Sequence, residues 1–419
     1  MIKKPDSVAK KSAIFIMPRS SKAWVGAEAL WITVAGWSAA AARKFGNAWV
    51  LTSDRVASPE EVIHYPLGEQ KPASTSKKKT LGQRVPLFIK TLLKDILLWR
   101  KSRQWNINKT FPWSDSGVAF VWQQHDLFEG PGKKIAAQLG VPLIVYVHAP
   151  VVWEAGKWGV KRPIWGVLLE KYQERKALQQ ADIVACVSED VARKVIQMGI
   201  DPGKVLISPM SVDPFLFGSD NSSLSLRQSL GLDNKFVLGW TGSFRSFHGL
   251  DILINVFNKV YQQRNDAVLL LVGDGQEREG IARMVKELDL EKAVMFLGKK
   301  PFAEIPKYVS LFDIAIVSAR SADDFHYSPL KLREYLAAGK PTLAPQAGEI
   351  PVMFSDNNHL LLYKVGDIDD SASKIITLME DLSLRERLSR NGANYILSNG
   401  TWDYEMEKAL RKIESNTKH

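Results

Sequence analysis

Short, continuous apolar runs alternate with amphipathic stretches along almost the whole chain. SAIFIMP, NAWVLTS, GVAFVWQ, PLIVYVHAP, DIVACVS and KVLISPM read as buried strands in the first half, with helical periodicity over 26–44 and 163–180. The second half repeats the pattern in KFVLGWTGS, AVLLLVGDG, AVMFLGK, DIAIVSA and KPTLAPQ, with helices expected near 249–263, 276–289 and 328–338. A strand that is apolar on both faces must be covered on both, the condition of a parallel sheet flanked by helices. The pattern predicts an α/β protein of two doubly wound, Rossmann-like domains facing across a cleft. Proline, glycine, serine and aspartate cluster in SPMSVDPFLFGSDNSS, which places the seam there. The first domain is expected over 1–212, the second over 213–399, and a closing helix over 400–419 packs back on the first.

One predicted helix carries a charge on its apolar stripe. In YSPLKLREYLAAGKP (327–341) Glu334 shares a helix face with Leu330, Ala337 and Ala338, because residues three and four apart are neighbours. Ser328 suits the N-cap and Pro329 the first helical position; Gly339 suits the residue after the C-cap, and Pro341 prevents continuation. The free amides at such a start, with the helix dipole, form an anion site. A phosphorylated ligand bearing hydroxyls would satisfy both ends of the pattern; a glutamate meeting a nearby arginine is the plainer alternative.

Composition narrows the class. A chain of 419 residues, 45% hydrophobic and 24% charged, suits a globular protein of more than one domain. Cys186, the single cysteine, sits in an apolar run and reads as a buried thiol in a reducing compartment. No apolar run approaches the roughly eighteen residues of a membrane span, and the basic N-terminus lacks a secretory core; the expectation is a cytoplasmic protein. The net charge of +11 is uneven: residues 1–212 hold 31 basic against 17 acidic side chains, residues 213–419 hold 25 against 28. Within 71–109 eleven bases accompany one acid, Asp95, and Val85, Phe88, Ile89, Leu92, Leu93 and Ile96 recur at helical spacing. Lys77, Lys78, Lys79, Lys90, Lys94 and Trp99 are therefore candidates for contact with the inner face of an anionic membrane. The other reading is a helix packed by its apolar stripe behind a solvated lysine face. No zinc spacing or nucleic-acid signature accompanies the charge, so a nucleic-acid partner is not expected.

Candidate chemistry lies in loops that follow strands. Gly242 opens GSFRSFHGL, where Arg245 could clamp a diphosphate through its planar fork and His248 precedes a helix. Gly273 and Gly275 make a second glycine turn in VGDGQ. His148 ends YVHAP, where it could donate to a substrate hydroxyl. Gly26, with Glu28 near it, lies between the first strand and first helix, where helix capping is the alternative role. Asp367 and Asp369 have D-x-D spacing but precede a helix as surface aspartates commonly do, so no metal site is assigned. No serine elbow, Walker loop or H-E-x-x-H occurs.

Taken in order, ISPMSVDPFLF, GWTGSFRSFHGLDILINVF, LLLVGDGQ, VMFLGKKPFAEIPKYVSLFDIAIVSA and YSPLKLREYLAAGKPTLAP resemble the nucleotide-sugar domain of GT-B glycosyltransferases of family 4, the retaining glycosyl transferases group 1. GAEALW and VHAPVVWEAGKW through ADIVACVSEDV are similar to that family's acceptor domain; residues 50–115 are outside the likeness. The resemblance implies that Glu334 matches the second glutamate of the E-x7-E motif and binds the nucleotide ribose. Ser328, Pro329 and Leu330 would begin the helix whose amides hold the diphosphate, and Lys331 beside them falls at a donor-binding position. Arg245 would be a diphosphate cation, Gly26 would border donor phosphate and acceptor, and His148 would lie near the transferred sugar. Gly242, Ser243, His248, Gly273, Gly275 and His326 fall at further donor-binding positions. Two departures stand out: His326 occupies the place of the first glutamate, and Ser243 and His248 replace the usual arginine and lysine.

The implied activity is retaining transfer of a hexose-like unit from a UDP- or GDP-linked sugar to a glycan or lipid-linked hydroxyl, without metal or cofactor. It would serve cell-envelope or polysaccharide biosynthesis. The His326 departure keeps a noncatalytic nucleotide-binding scaffold open, and a GT-B sugar epimerase is a third reading. Nothing in the sequence bears on oligomeric state.

Overall fold

A computed structural model describes residues 11–24, 28–63, 86–103, 105, 117–128, 130–218, 224–323, 325 and 328–417. The chain divides into two compact units, Met1–Pro209 with Glu405–His419, and Met210–Tyr404.

The first unit is built on seven strands: β1 (Ser12–Ile16), β2 (Ala48–Leu51), β3 (Val56–Ala57), β4 (Val118–Gln124), β5 (Leu143–Val147), β6 (Ile183–Cys186) and β7 (Val205–Ile207). Their order is β3-β2-β1-β4-β5-β6-β7, and every pairing is parallel except that of β2 with β3. The order reverses between β1 and β4, the switch point of a doubly wound sheet. Aromatic side chains fill its centre, with Trp122 stacked on Tyr146 at 5.6 Å and Trp37 edge-on to Tyr146 at 6.0 Å. Cys186 is fully buried, and burial pushes its thiol up to about 12.

Two buried carboxylates tie the surface elements to this sheet. Glu174, in a single π turn over Glu170–Glu174, accepts from the amides of Val151 and Val152 at the start of the helix Val151–Lys157 and lies 2.9 Å from His125 Nε2. Asp95, in the helix Leu87–Ser102, receives both Arg162 Nε at 2.8 Å and Trp165 Nε1 at 3.1 Å. That second contact corrects one expectation. The helix docks through Thr91 and Asp95, its buried residues, while Leu92, Leu93, Ile96 and Leu97 are exposed. Packing by the apolar stripe is thus not what holds it; the charge-assisted bonds to Asp95 set its rotation instead.

The second unit holds β8 (Phe236–Thr241), β9 (Ala267–Val272), β10 (Val294–Gly298), β11 (Ile314–Ile316), β12 (Thr342–Pro345) and β13 (Leu361–Tyr363), all parallel, in the order β10-β9-β8-β11-β12-β13. Alternate residues of β8 serve the two faces: Leu238 and Trp240 enter one apolar layer, Val237 the other. The order reverses between β8 and β11, so the crevice beyond their carboxyl ends is where a ligand belongs.

Removing a partner from a fully desolvated bond network leaves its donors unpaired, which costs about 3–5 kcal/mol. Glu174→Ala is accordingly expected to lower unfolding stability by at least about 3 kcal/mol, more than Glu174→Gln, in denaturant titrations of the purified chain.

Candidate functional site

Beyond the carboxyl ends of β8 and β9, two glycine loops interlock. The amide of Gly242 donates to Val272 O, that of Phe244 to Asp274 O, and that of Glu277 to Phe244 O, at 2.9–3.0 Å. A Cβ on Gly273 would fall 1.8 Å from Gly242 O, and one on Gly275 would fall 2.8 Å from the Phe244 backbone. Backbone contact this close leaves no room for a side chain. Gly273 and Gly275 therefore seat the loop that begins at Gly242.

The helix Leu330–Ala337 approaches this loop through Tyr335, whose hydroxyl accepts from the Thr241 amide at 2.7 Å and lies 2.9 Å from Thr241 Oγ1. Its far end closes as expected: Gly339 adopts φ +64°, its amide donating to Leu336 O and that of Lys340 to Tyr335 O, the paired bonds of a Schellman cap. The near end differs from the expectation. Pro329 occupies the N-cap position and no side chain caps the helix. The Ser328 hydroxyl is committed elsewhere, donating to Glu349 Oε1 while accepting from Arg333 Nη1 at 2.7 Å. The first-turn amides of Leu330 and Lys331 are thus left without a capping side chain.

Arg333 decides between the two readings of Glu334. This arginine is almost fully buried and spends its charge on Glu349 at 2.9 Å and on Ser328. Glu334, only 5% exposed, has no hydrogen-bond or ion-pair partner among the described residues. Burial raises its carboxyl to about 8, partly offset by Lys331. Lys331 is in the same position: its ammonium is buried with no hydrogen-bond partner, and burial lowers it to about 7, partly offset by Glu334. It lies over the Trp240 ring at 3.9 Å, with Trp240 Nε1 fixed to Ser318 Oγ at 2.9 Å. A cation on an indole face recovers part of its lost hydration, but both charges still lack a partner.

Lys331 also answers a departure noted in the sequence. His248 is buried, and burial followed by the charges of Lys331 and Arg245 drives its imidazole far below the ordinary range, so it is neutral at physiological pH. The lysine arrives from the helix instead, since a Cβ at Gly242 would meet Lys331 Nζ at 2.8 Å. Arg245 is exposed at the rim of the same loop, and Ser243, half-buried, accepts through its carbonyl from the Arg245 amide. Trp240, Thr241 and Tyr335 complete the site; nothing in the hydropathy pattern separates them from ordinary core.

In the first unit His148 follows β5. Thr33 Oγ1 donates to Ala29 O at 2.8 Å and lies 3.1 Å from His148 Nε2. Nδ1 is buried, without a hydrogen-bond partner among the described residues. Burial lowers this histidine to about 4, partly offset by Glu154, which keeps it neutral. Nδ1 is thus the ring atom left open to a substrate hydroxyl.

Gly26, His326 and Lys77, Lys78 and Lys79 lie outside the described residues. Asp367 caps the helix Ile368–Glu380 by accepting from Asp370 N, and Asp369 pairs with Lys259. Among the described residues no three His, Cys, Asp or Glu side chains converge. An open cavity of about 700 Å³ lies at the amino ends of β8 and β12, lined by Phe236, Asp313, Lys340 and Arg385, the end of a doubly wound sheet that does not bind nucleotides.

Two family models match in chain order: Glycosyltransferase Family 4 over residues 79–214 and Glycosyl transferases group 1 over residues 223–395. The chain belongs to the group 1 glycosyltransferases of family 4. An N-acetyl-alpha-D-glucosaminyl L-malate synthase of Bacillus anthracis is 26% identical over 58% of this glycosyltransferase and 60% of its own length. A mannosylfructose-phosphate synthase of Agrobacterium fabrum is 24% identical over 68% and 66%. The match thus spans under two thirds of both relatives. The crystal structure of Anabaena Alr3699/HepE in complex with UDP-glucose superposes with a TM-score of 0.62 at 18% identity, covering 96% of this chain and 99% of that one. The fold is GT-B, as the strand pattern and the resemblance implied.

The raised carboxyl of Glu334 has a definite sign in stability. Between about 4.5, its ordinary value, and about 8 the unfolded glycosyltransferase releases a proton that the folded one keeps, so stability falls as pH rises through that window. Glu334→Gln removes the effect. In thermal denaturation its advantage over the parent is expected to grow from pH 5 to pH 8, by roughly 1–3 kcal/mol.

Proposed function

We propose that this protein transfers a hexose-like unit, with retention, from a nucleoside diphosphate sugar to a hydroxyl of a glycan or lipid-linked acceptor in cell-envelope or polysaccharide biosynthesis. The observation that carries the reading is the pair Lys331 and Glu334 at the carboxyl end of β8: the ammonium is buried with no hydrogen-bond partner, the glutamate is 5% exposed, and neither forms a hydrogen bond or ion pair among the described residues, each offset only by the other's charge. A diphosphate supplies the anion that Lys331 lacks, and ribose hydroxyls supply the donors that Glu334 lacks. The UDP-glucose held by the Anabaena protein is a ligand of this chemistry, which favours a uridine donor; a guanosine donor is the alternative.

In the transfer step the bond from the anomeric carbon to the phosphate oxygen breaks and a bond to the acceptor oxygen forms on the same face. The acceptor proton passes to the departing phosphate. Negative charge grows on the diphosphate as the bond loosens, and Lys331, Arg245 and the amides of Leu330 and Lys331 supply positive charge fixed in advance. On this account no metal is needed to hold the leaving group. Glu334 positions the donor and is not a nucleophile. His148 lies near the transferred sugar, as the resemblance implies. The protein works in the cytoplasm, peripheral to the inner membrane face, where lipid-linked acceptors are reached.

Calorimetry with UDP, GDP and their sugars tests the assignment. Glu334→Ala and Lys331→Met are each expected to weaken the preferred donor by about tenfold or more, about 1.4 kcal/mol, with the fold retained. Undiminished affinity in both variants would reject the site. Slow donor hydrolysis by the parent, followed by mass spectrometry, separates a transferase from a binding scaffold.

A further inference from the structure

The helix Leu87–Ser102 is mounted with its polar side inward. Asp95 is 3% exposed and held by Arg162 and Trp165, whereas Leu93 and Leu97 are 54% and 56% exposed. Each of the two lies two residues from Asp95, roughly 200° around the helix, so both point away from the unit that carries them. Lys90, Lys94, Arg100 and Lys101 are exposed along the same helix, and its one acid, Asp95, is consumed by Arg162. The segment that supplies Arg162 and Trp165 repeats the composition, with Ile164 85% exposed, Val167 and Leu168 also exposed, and Lys161 and Lys171 beside them. Ile164 has φ +62°, an uncommon conformation for a β-branched residue.

A monomer in water gains nothing from showing this much aliphatic surface. Three occupants are possible in principle, and the charge pattern selects among them. A second copy would bring like-charged faces together with no free acid on either helix to pair the lysines, which is repulsive. A nucleic acid would leave the aliphatic centre, Leu93 and Leu97, without a stacking partner. An anionic bilayer takes both parts at once, acyl chains receiving the leucines while lipid phosphates meet lysines whose long stems reach the headgroups.

We propose that this face, formed by the helix Leu87–Ser102 and the exposed side chains of 161–172, seats the protein on an anionic lipid surface. No helix among the described residues is long and apolar enough to cross a membrane, so the association is superficial and reversible. The proposal gives the peripheral location suggested above a surface and a lipid class. It stands on that surface alone, independent of the donor chemistry.

The test is co-sedimentation of the full chain with vesicles of phosphatidylcholine, with and without phosphatidylglycerol, at low and high salt. Binding is expected only with phosphatidylglycerol and is expected to weaken at high salt. Lys90→Glu/Lys94→Glu/Lys101→Glu and Leu93→Ser/Leu97→Ser are each expected to reduce partitioning at least about tenfold, with UDP affinity unchanged as the check on folding. A parent that stays in the supernatant overturns the proposal, as do variants that bind like the parent. Dimerisation of the parent abolished by Leu93→Ser/Leu97→Ser, without vesicle binding, would assign the face to a second copy. Loss of vesicle binding with UDP affinity intact leaves the donor site standing, and the reverse result leaves the membrane face standing.

Discussion

The hydroxyl of Tyr335, bonded to the amide and side chain of Thr241, is the contact on which the second unit's chemistry rests. The helix that carries it has eight residues, too few to persist in water without tertiary support. Bonding Tyr335 to the last residue of β8 fixes the helix in rotation and along its axis. The preceding turn then brings Lys331 under Gly242 and against Trp240, and Glu334 is buried beside it. Gly273 and Gly275 fix the opposite wall, because only their missing side chains let the two loops bond through their backbones.

Neighbouring residues of one helix divide sharply between structure and chemistry. Arg333 meets Ser328 and Glu349 and is satisfied, whereas the buried Lys331 ammonium and the 5% exposed Glu334 form no hydrogen bond among the described residues. The first unit shows the same contrast, with His125 bonded to Glu174 and His148 left with an open Nδ1. Lys331 Nζ and His148 Nδ1 are among several buried polar atoms without a partner, and they are the ones that stand with ionisable groups beyond the carboxyl ends of strands. Burial shifts both Glu334 and Lys331 toward neutrality, which lessens the cost of keeping them desolvated while no ligand is present.

Much of this was legible in the chain. All eleven apolar runs read as strands are strands; burial on both faces makes most such runs continuous, although the edge strand β7 is only partly covered. The two strands that escaped notice are β3, of two residues, and β13, of three. Glu334 was visible as a charge on an apolar stripe, and Gly339 as a stop. Ser328 was misread as a cap because its local spacing is right, whereas the hydrogen bonds that claim it come from Arg333 and from Glu349, distant in sequence. Lys331 was placed at the donor site, but its approach to the Gly242 loop was hidden for the same reason: a cation supplied through space to a loop ending in His248 leaves no trace in spacing. The mounting of Leu87–Ser102 was equally unreadable, since periodicity marks which side chains share a face and not which face is turned inward.

The chain leaves the first unit at Pro209 and rejoins it at Glu405, within the helix Trp402–Thr417, which reaches Lys44 through Glu407. The first unit is therefore not one uninterrupted stretch of polypeptide, whereas the second, Met210–Tyr404, is. Whoever exchanges the halves of such a molecule between homologues must splice at two junctions, and a tail carried over from the wrong parent would ask a foreign helix to fit the native side of the joint.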